Sequence, residues 1–178
     1  MSPLSAEDWL AVAFEILARE GAGALTVERL TTALGVTKGS FYHHFESCED
    51  LKLRLLGYWE QRLTADVIAE TETASPPTDP LDALVDALTK RSPDAEKAIR
   101  AWALQDTEVR NHLERVDALR LEQALAWFGQ DMAAADARTA ARTLQALLVG
   151  CYSILPPVAG DELRQVMNEF LLRYRQKG

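Results

Sequence analysis

The chain has 178 residues, room for one compact unit or two small layers and too few for a multidomain machine. Apolar residues make up 48% and charged residues 26%, a globular balance that excludes disordered, collagenous and disulfide-knot classes. A net charge of −8 excludes a uniformly basic nucleic-acid coat, although not a local basic patch. The two cysteines, Cys48 and Cys151, are too few for a disulfide framework or a four-cysteine zinc site. The opening residues MSPLSAEDWL lack a basic stretch followed by an apolar core, and no run of 18 apolar residues offers a membrane span. The expected compartment is therefore the cytoplasm.

Proline at 3, 76, 77, 80, 93, 156 and 157 separates long Ala-, Leu-, Glu- and Arg-rich stretches, and alternating β-branched runs are missing. The pattern predicts an all-α protein of about nine helices. The first starts at Ser5, where Ser5 and Asp8 have capping-box spacing. It runs to Glu20 with Leu10, Ala13, Phe14 and Leu17 on one face, and ends at Gly21 and Gly23. Thr26 caps a short second helix with Val27, Leu30 and Leu34 inward. Gly35 follows where a left-handed backbone is wanted. Thr37 opens the third helix, with Phe41 and Phe45 one turn apart. Ser47 opens a long fourth helix over 47–72, with Leu51, Leu55, Trp59 and Leu63 down one side. Residues 73–79 have loop composition. Asp79-Pro80 and Ser92-Pro93 each read as an N-cap followed by proline at the first helical position. Three more helices are expected over 106–132, 136–155 and 161–175.

Residues 26–45, TVERLTTALGVTKGSFYHHF, carry the chemistry. Two short helices joined at a glycine have the form of a helix-turn-helix, whose second helix enters the major groove of DNA. Val27, Leu30, Leu34, Val36 and Phe41 can share one small core. The opposite face carries Thr37, Lys38, Ser40, Tyr42, His43 and His44, which are hydrogen-bond donors suited to phosphate oxygens and base edges. Adjacent His43 and His44 point about 100° apart on a helix, so they do not form a metal site. No metal and no cofactor are expected. Nor is an enzyme, because there is no nucleophile elbow, phosphate loop or metal-spaced His/Cys set, and Asp161 and Glu169 lie on ordinary solvated faces.

The run Leu34-Gly-Val-Thr-Lys-Gly-Ser-Phe-Tyr-His-His-Phe45, preceded by Thr26 and followed by Glu49-Asp-Leu51, resembles the DNA-binding segment of the TetR family of transcriptional regulators. The resemblance is dense over residues 9–57. It implies that Thr26, Tyr42 and His44 hold the phosphate backbone. Thr37, Lys38, Ser40 and His43 would face the groove, with Gly39 allowing close approach. Where the family usually has a phosphate-binding Lys, this chain has Cys48, and Lys52 one turn on is the expected partial substitute. Glu46, Glu49 and Asp50 around Cys48 oppose thiolate formation and so a redox role. Residues 1–57 hold five cations against eight carboxylates, a net −3, yet 37–44 contain no carboxylate. Few cations mean few released counterions, so modest affinity with a shallow salt dependence is expected for each protomer.

The same resemblance implies a helix-turn-helix domain over 1–46 and a ligand-binding and dimerisation bundle over 47–178, with the fourth helix as connector. The stripe Leu163, Val166, Met167, Phe170, Leu171 and Tyr174 and the eighth helix, apolar nearly all round, would form a homodimer seam. Its expected residues are Ala141, Leu144, Leu148, Leu163, Val166, Met167, Phe170 and Tyr174, with Gly150 also permitting close approach. The expected effector pocket draws on Trp59, Arg62, Trp102, His112, Arg115, Trp127 and Tyr152. The function read here is a repressor released from a palindromic double-stranded DNA operator by a small molecule, with no membrane partner. The alternative is a helical ligand- or protein-binding bundle that has lost DNA binding.

Overall fold

The computed structural model describes residues 4–74 and 79–175. Among these the chain forms nine helices. α1 spans Ala6–Glu20, α2 Val27–Leu34 and α3 Lys38–His44. α4 runs over Cys48–Glu60, widens into a π-helical segment at Gln61–Ala65 and continues over Asp66–Thr73. α5 spans Pro80–Thr89, α6 Asp94–Ala103, α7 Thr107–Phe128, α8 Ala134–Ser153 and α9 Gly160–Arg175. No helix among the described residues is long and apolar enough to cross a membrane.

Local caps set most of the starts. Ser5 Oγ accepts from Asp8 N–H at 3.2 Å while Asp8 Oδ2 accepts from Ser5 N–H at 2.7 Å, the reciprocal box expected. Thr26 Oγ1 accepts from Arg29 N–H at 3.1 Å, and Ser47 Oγ does the same for Asp50 at 3.1 Å. Asp79 Oδ1 accepts from Leu81 N–H at 2.8 Å, with Pro80 at the first helical position. α6 departs from this scheme and begins at Asp94, just after Pro93. The expected break over 73–79 falls in part on 75–78, outside the described residues.

The chain divides into two compact units. The first holds residues up to Arg62 together with Asp94–Leu113; there α1 packs against α2, α4 and α6, and α2 against α3. Its core contains Trp9, Leu17, Leu30, Phe41, Phe45, Leu55, Trp59 and Ile99, each essentially without exposed surface. The inner face of α1 is Trp9, Ala13, Ile16 and Leu17, which corrects the expected Leu10 and Phe14. Both of those are half-buried, and Phe14 instead sets its ring 5.6 Å from that of Tyr58. Val27, Leu34 and Val36 are also only half-buried, so the small core expected of them rests chiefly on Leu30 and the aromatic residues.

The second unit holds Leu63–Pro93 and residues from Glu114 onward. The second half of α4 packs on α5, and α5 on α9, around Val67, Val85, Ala140, Ala141, Leu144, Leu163, Met167 and Leu171. The π-segment changes the register of α4. Leu51, Leu55 and Trp59 are buried at spacings of four, then Thr64, Val67 and Thr71 take over after a step of five. Leu63, expected to continue the stripe, is only half-buried for that reason. Arg120 Nε donates to Thr64 Oγ1 at 2.9 Å and Nη2 to the Leu63 carbonyl at 3.4 Å, giving the widened turn a partner.

The expected dimer seam needs correction. Ala141, Leu144, Leu163, Met167 and Phe170 are buried within the protomer's own core, so their apolar surface is already used. Leu148, Val166 and Tyr174 remain half-exposed, Gly150 is open, and Leu172, Ile154 and Leu155 add exposed apolar surface.

The first unit's core gives a stability prediction. Phe41→Ala removes a ring that has no exposed surface and is expected to cost about 3–5 kcal/mol in denaturant unfolding. An exposed control, Tyr42→Ala, should stay within about 0.5 kcal/mol of the parent.

Candidate nucleic-acid interface

The turn between α2 and α3 is built by Gly35, whose φ of 67° places it in the left-handed region that favours glycine. Val36 N–H donates back to the Thr31 carbonyl at 3.0 Å, closing the end of α2. Thr37 then adopts an extended backbone, and its hydroxyl makes no capping bond. α3 follows for seven residues, with Phe41 as its buried side chain and Phe45 just past its end. Trp9 from α1 meets the ring of Phe41 edge-on at 5.7 Å and that of Phe45 at 6.2 Å, while the two phenylalanines lie 5.3 Å apart.

With positions 41 and 45 held inward, the intervening residues turn outward. Tyr42 is 59% exposed. Thr26, Thr37, Lys38, Gly39 and His43 are exposed too, and Ser40 is half-buried. His44 is half-buried and sits at 6.1 Å from the Trp9 ring and 5.1 Å from His43. These eight expected residues thus share the exposed side of one helix-turn-helix.

The ninth does not belong with them. Lys52 Nζ lies 2.5 Å from Glu49, 3.1 Å from Asp106 and 2.8 Å from Glu108, and its side chain is 12% exposed. Burial works against its charge, but the hydrogen bonds to Glu108, Glu49 and Asp106 outweigh it and raise its pKa. A clamped ammonium of this kind ties the start of α4 to the start of α7 and is not offered to a phosphate. The substitution expected for Cys48 is therefore not made by Lys52. Sequence spacing shows a cation one turn from Cys48 and nothing of carboxylates more than fifty positions away.

The Asp50 carboxylate, at the start of α4, is tied up by local bonds. Asp50 accepts from Arg54 Nε at 2.9 Å and from Glu46 N–H at 3.1 Å. Those bonds, the Arg54 one foremost, hold its carboxyl below the usual range. Arg54 itself lies 5.4 Å over the Phe45 ring, and Arg29 pairs with Glu20 at 2.6 Å. Of the five cations in this segment, Lys38 and Arg19 make no ion pair among the described residues.

The residues expected to line an effector pocket divide between the units. Trp59, Arg62, Trp102 and His112 belong to the first, and Arg115, Trp127 and Tyr152 to the second. Within the first, Trp59 Nε1 donates to buried Glu96 Oε2 at 3.2 Å, Arg100 grips the other carboxylate oxygen at 2.8 Å, and His112 Nε2 meets Glu60 at 2.9 Å. This is a packed polar knot joining α4, α6 and α7. Glu96 and Arg100 are parts of it that periodicity alone passes over as ordinary helix-surface charges. In the second unit Trp127 lines an open recess.

Residues 10–55, which span this whole helix-turn-helix, match the family described as bacterial regulatory proteins, tetR family. That segment is of the TetR family. The chain that carries it is a TetR-like DNA-binding transcriptional regulator. No curated protein matches it at a significant level. Solved TetR-like structures match along nearly the whole chain. Salmonella enterica GusR is 21% identical, with a TM-score of 0.73 and coverage of 99% of this chain and 95% of that one. A regulator from Saccharomonospora viridis, solved in complex with choline, is 20% identical, with a TM-score of 0.72 and coverage of 93% and 94%. KstR2 of Mycobacterium tuberculosis, a ketosteroid transcriptional regulator, is 17% identical, with a TM-score of 0.60 and coverage of 98% and 94%. At such identities the likeness is one of fold, and it extends past the DNA-binding segment to the rest of the helical chain.

The Lys52 clamp makes a pH prediction. The Val109 N–H and then Lys52 hold Asp106 below its ordinary range, and Lys52 does the same for Glu108. Carboxyl groups lowered on folding add stability above their unfolded pKa of about 4, and that stability is lost as pH falls through the lowered values. Lys52, being raised, keeps its contribution until the pH passes above its ordinary value. Lys52→Met should therefore lower the urea midpoint at pH 7 and bring it closer to the parent's as the pH drops towards 3. A midpoint difference independent of pH would show that the clamp does not act through charge.

Proposed function

We propose that the chain acts as a homodimeric repressor whose two α3 helices read the half-sites of a palindromic double-stranded DNA operator. A small-molecule effector releases it by favouring a state in which the two heads no longer fit grooves roughly 34–36 Å apart. The observation that carries the reading is the exposed α3 face, with Tyr42 59% exposed and the Asp50 carboxylate bonded to Arg54 and the Glu46 N–H. An acidic protein binds DNA only where phosphates meet donors and no carboxylates. The choline in the S. viridis relative supports an effector of small-molecule size.

In this reading Thr26, Tyr42 and His44 contact phosphates, while Thr37, Lys38, Ser40 and His43 face bases. Gly39 has a plainer signature than any of them. A Cβ built there meets nothing closer than Thr37 Oγ1 at 3.7 Å, and its backbone has no need of a positive φ. Folding alone would accept alanine at that helical position and gain up to about 1 kcal/mol from it, which points to close approach by DNA as the reason for glycine.

Selection from random duplexes by the full chain should return a palindrome. Nothing above background would favour the bundle that has lost DNA binding, a reading to which the internally paired Arg29, Lys52 and Arg54 lend some support. Gly39→Ala should leave the unfolding midpoint equal or higher while weakening operator binding. A variant that keeps full affinity would remove Gly39 from the interface.

Tyr42→Ala should cost about 1.5–3 kcal/mol on operator and random DNA alike, as loss of a phosphate contact does. His43→Ala and Lys38→Ala should instead flatten base preference at defined operator positions. Salt titrations should give a slope well short of a ten-phosphate binder's, and a slope that steep would contradict the pairing of cations within the head.

A further inference from the structure

The second unit holds an open recess of about 670 Å³ formed by the start of α5, the end of α7 and the end of α9, a size suited to a small organic ligand. Trp127, Phe128, Met132 and Tyr174 line it. Phe128 and Tyr174 lie 6.1 Å apart, and Phe170 backs Tyr174 at 4.8 Å, so the wall is fixed by ring packing. Three charged side chains complete the lining, Asp79, Asp131 and Arg175. Arg175 Nη2 is already shared between Asp79 at 2.6 Å and Asp82 at 2.9 Å, which more than neutralises its guanidinium. Asp131 is exposed and forms no ion pair among the described residues. The recess therefore joins aromatic faces, whose quadrupoles attract cations, to an excess of negative charge.

We propose that this recess binds a hydrophobic organic cation, such as an ammonium or phosphonium carrying aromatic or branched alkyl groups. An anion would face the carboxylates of Asp79 and Asp131 against one guanidinium already occupied by Asp79 and Asp82. A neutral ligand would use the rings and gain nothing from Asp131. The inference rests on the effector-responsive reading in making this cation the chemical class of the effector, but the binding itself is measured without DNA.

Tetraphenylphosphonium and tetraphenylborate have nearly the same shape and opposite charge. In calorimetric titrations of the full chain, the phosphonium should bind about tenfold or more tightly than the borate. Asp131→Asn should weaken the phosphonium several-fold, whereas Asp136→Asn, at an exposed position on α8 outside the lining, should not. The indole N–H resonance of Trp127, assigned with Trp127→Phe, should shift on binding while those of Trp9 and Trp59 stay in place. Equal or tighter borate binding, an Asp131→Asn variant with parental affinity, or an unmoved Trp127 resonance would each overturn the assignment. If the phosphonium fails to bind while the chain still selects a palindrome, the recess assignment falls and the regulator stands. If it binds as expected and no DNA is selected, the recess stands and the regulator reading falls.

Discussion

A helix of seven residues has too few internal hydrogen bonds to persist by itself, so what α3 presents to the outside depends on what grips its back. That grip is aromatic. Trp9, Phe41 and Phe45 are buried to within 1% and meet at ring distances of 5.3–6.2 Å, which fixes the rotation of α3 about its axis. Once two positions four residues apart are committed inward, Tyr42 and His43 have only solvent to face. The Trp9 indole N–H has no hydrogen-bond partner among the described residues despite its burial. A donor left this way costs about 1–3 kcal/mol, so this residue contributes through the shape and area of its ring.

Orientation alone would not suffice in a chain of charge −8. Phosphates are repelled by carboxylates within a Debye length of about 8–10 Å, and the head carries more acids than bases. Local bonding limits the damage. Asp8 is held in the α1 capping box, Glu20 by Arg29 and Asp50 by Arg54, and each carboxyl is pulled below its usual range by those bonds. The cations used this way are no longer available to DNA. What remains on the α3 side is a set of hydrogen-bond donors with Lys38. Such a face suits recognition by position and hydrogen bonding better than by bulk attraction.

Features that depend on a few neighbouring residues were legible in the sequence. The caps at Ser5, Thr26, Ser47 and Asp79 and the glycine at 35 need only a hydroxyl, a carboxylate or a missing Cβ at a fixed offset. Features that depend on a distant partner were not. α1 has apolar residues at 9–14 and 16–18, a band wide enough to fit more than one inner face, and the rings of α3 choose the one containing Trp9 and Ile16. Lys52 shows its charge in the sequence but not its partners at 106 and 108. Helical periodicity likewise marks Leu163, Met167 and Phe170 as apolar without telling a protomer's own core from a seam between copies. The structure places them in the core.

α4 shows why that limit is physical. Its first half buries Leu51, Leu55 and Trp59 among the residues of the first unit, and its second half buries Thr64, Val67 and Thr71 among those of the second. A regular helix extends one stripe, and continuing the spacing of four from Trp59 would bring Leu63 inward and leave Thr64 out. One extra residue in the Gln61–Ala65 turn rotates everything after it by about 100°. The buried line is then re-aimed without ending the helix. The cost is a disturbed hydrogen-bond ladder, and Arg120 offsets part of it by donating to the Leu63 carbonyl and the Thr64 hydroxyl. Nothing in Gln61-Arg-Leu-Thr-Ala65 read alone requires that widening. It follows from which residues the second half of the helix buries, Thr64, Val67 and Thr71 in place of Leu63.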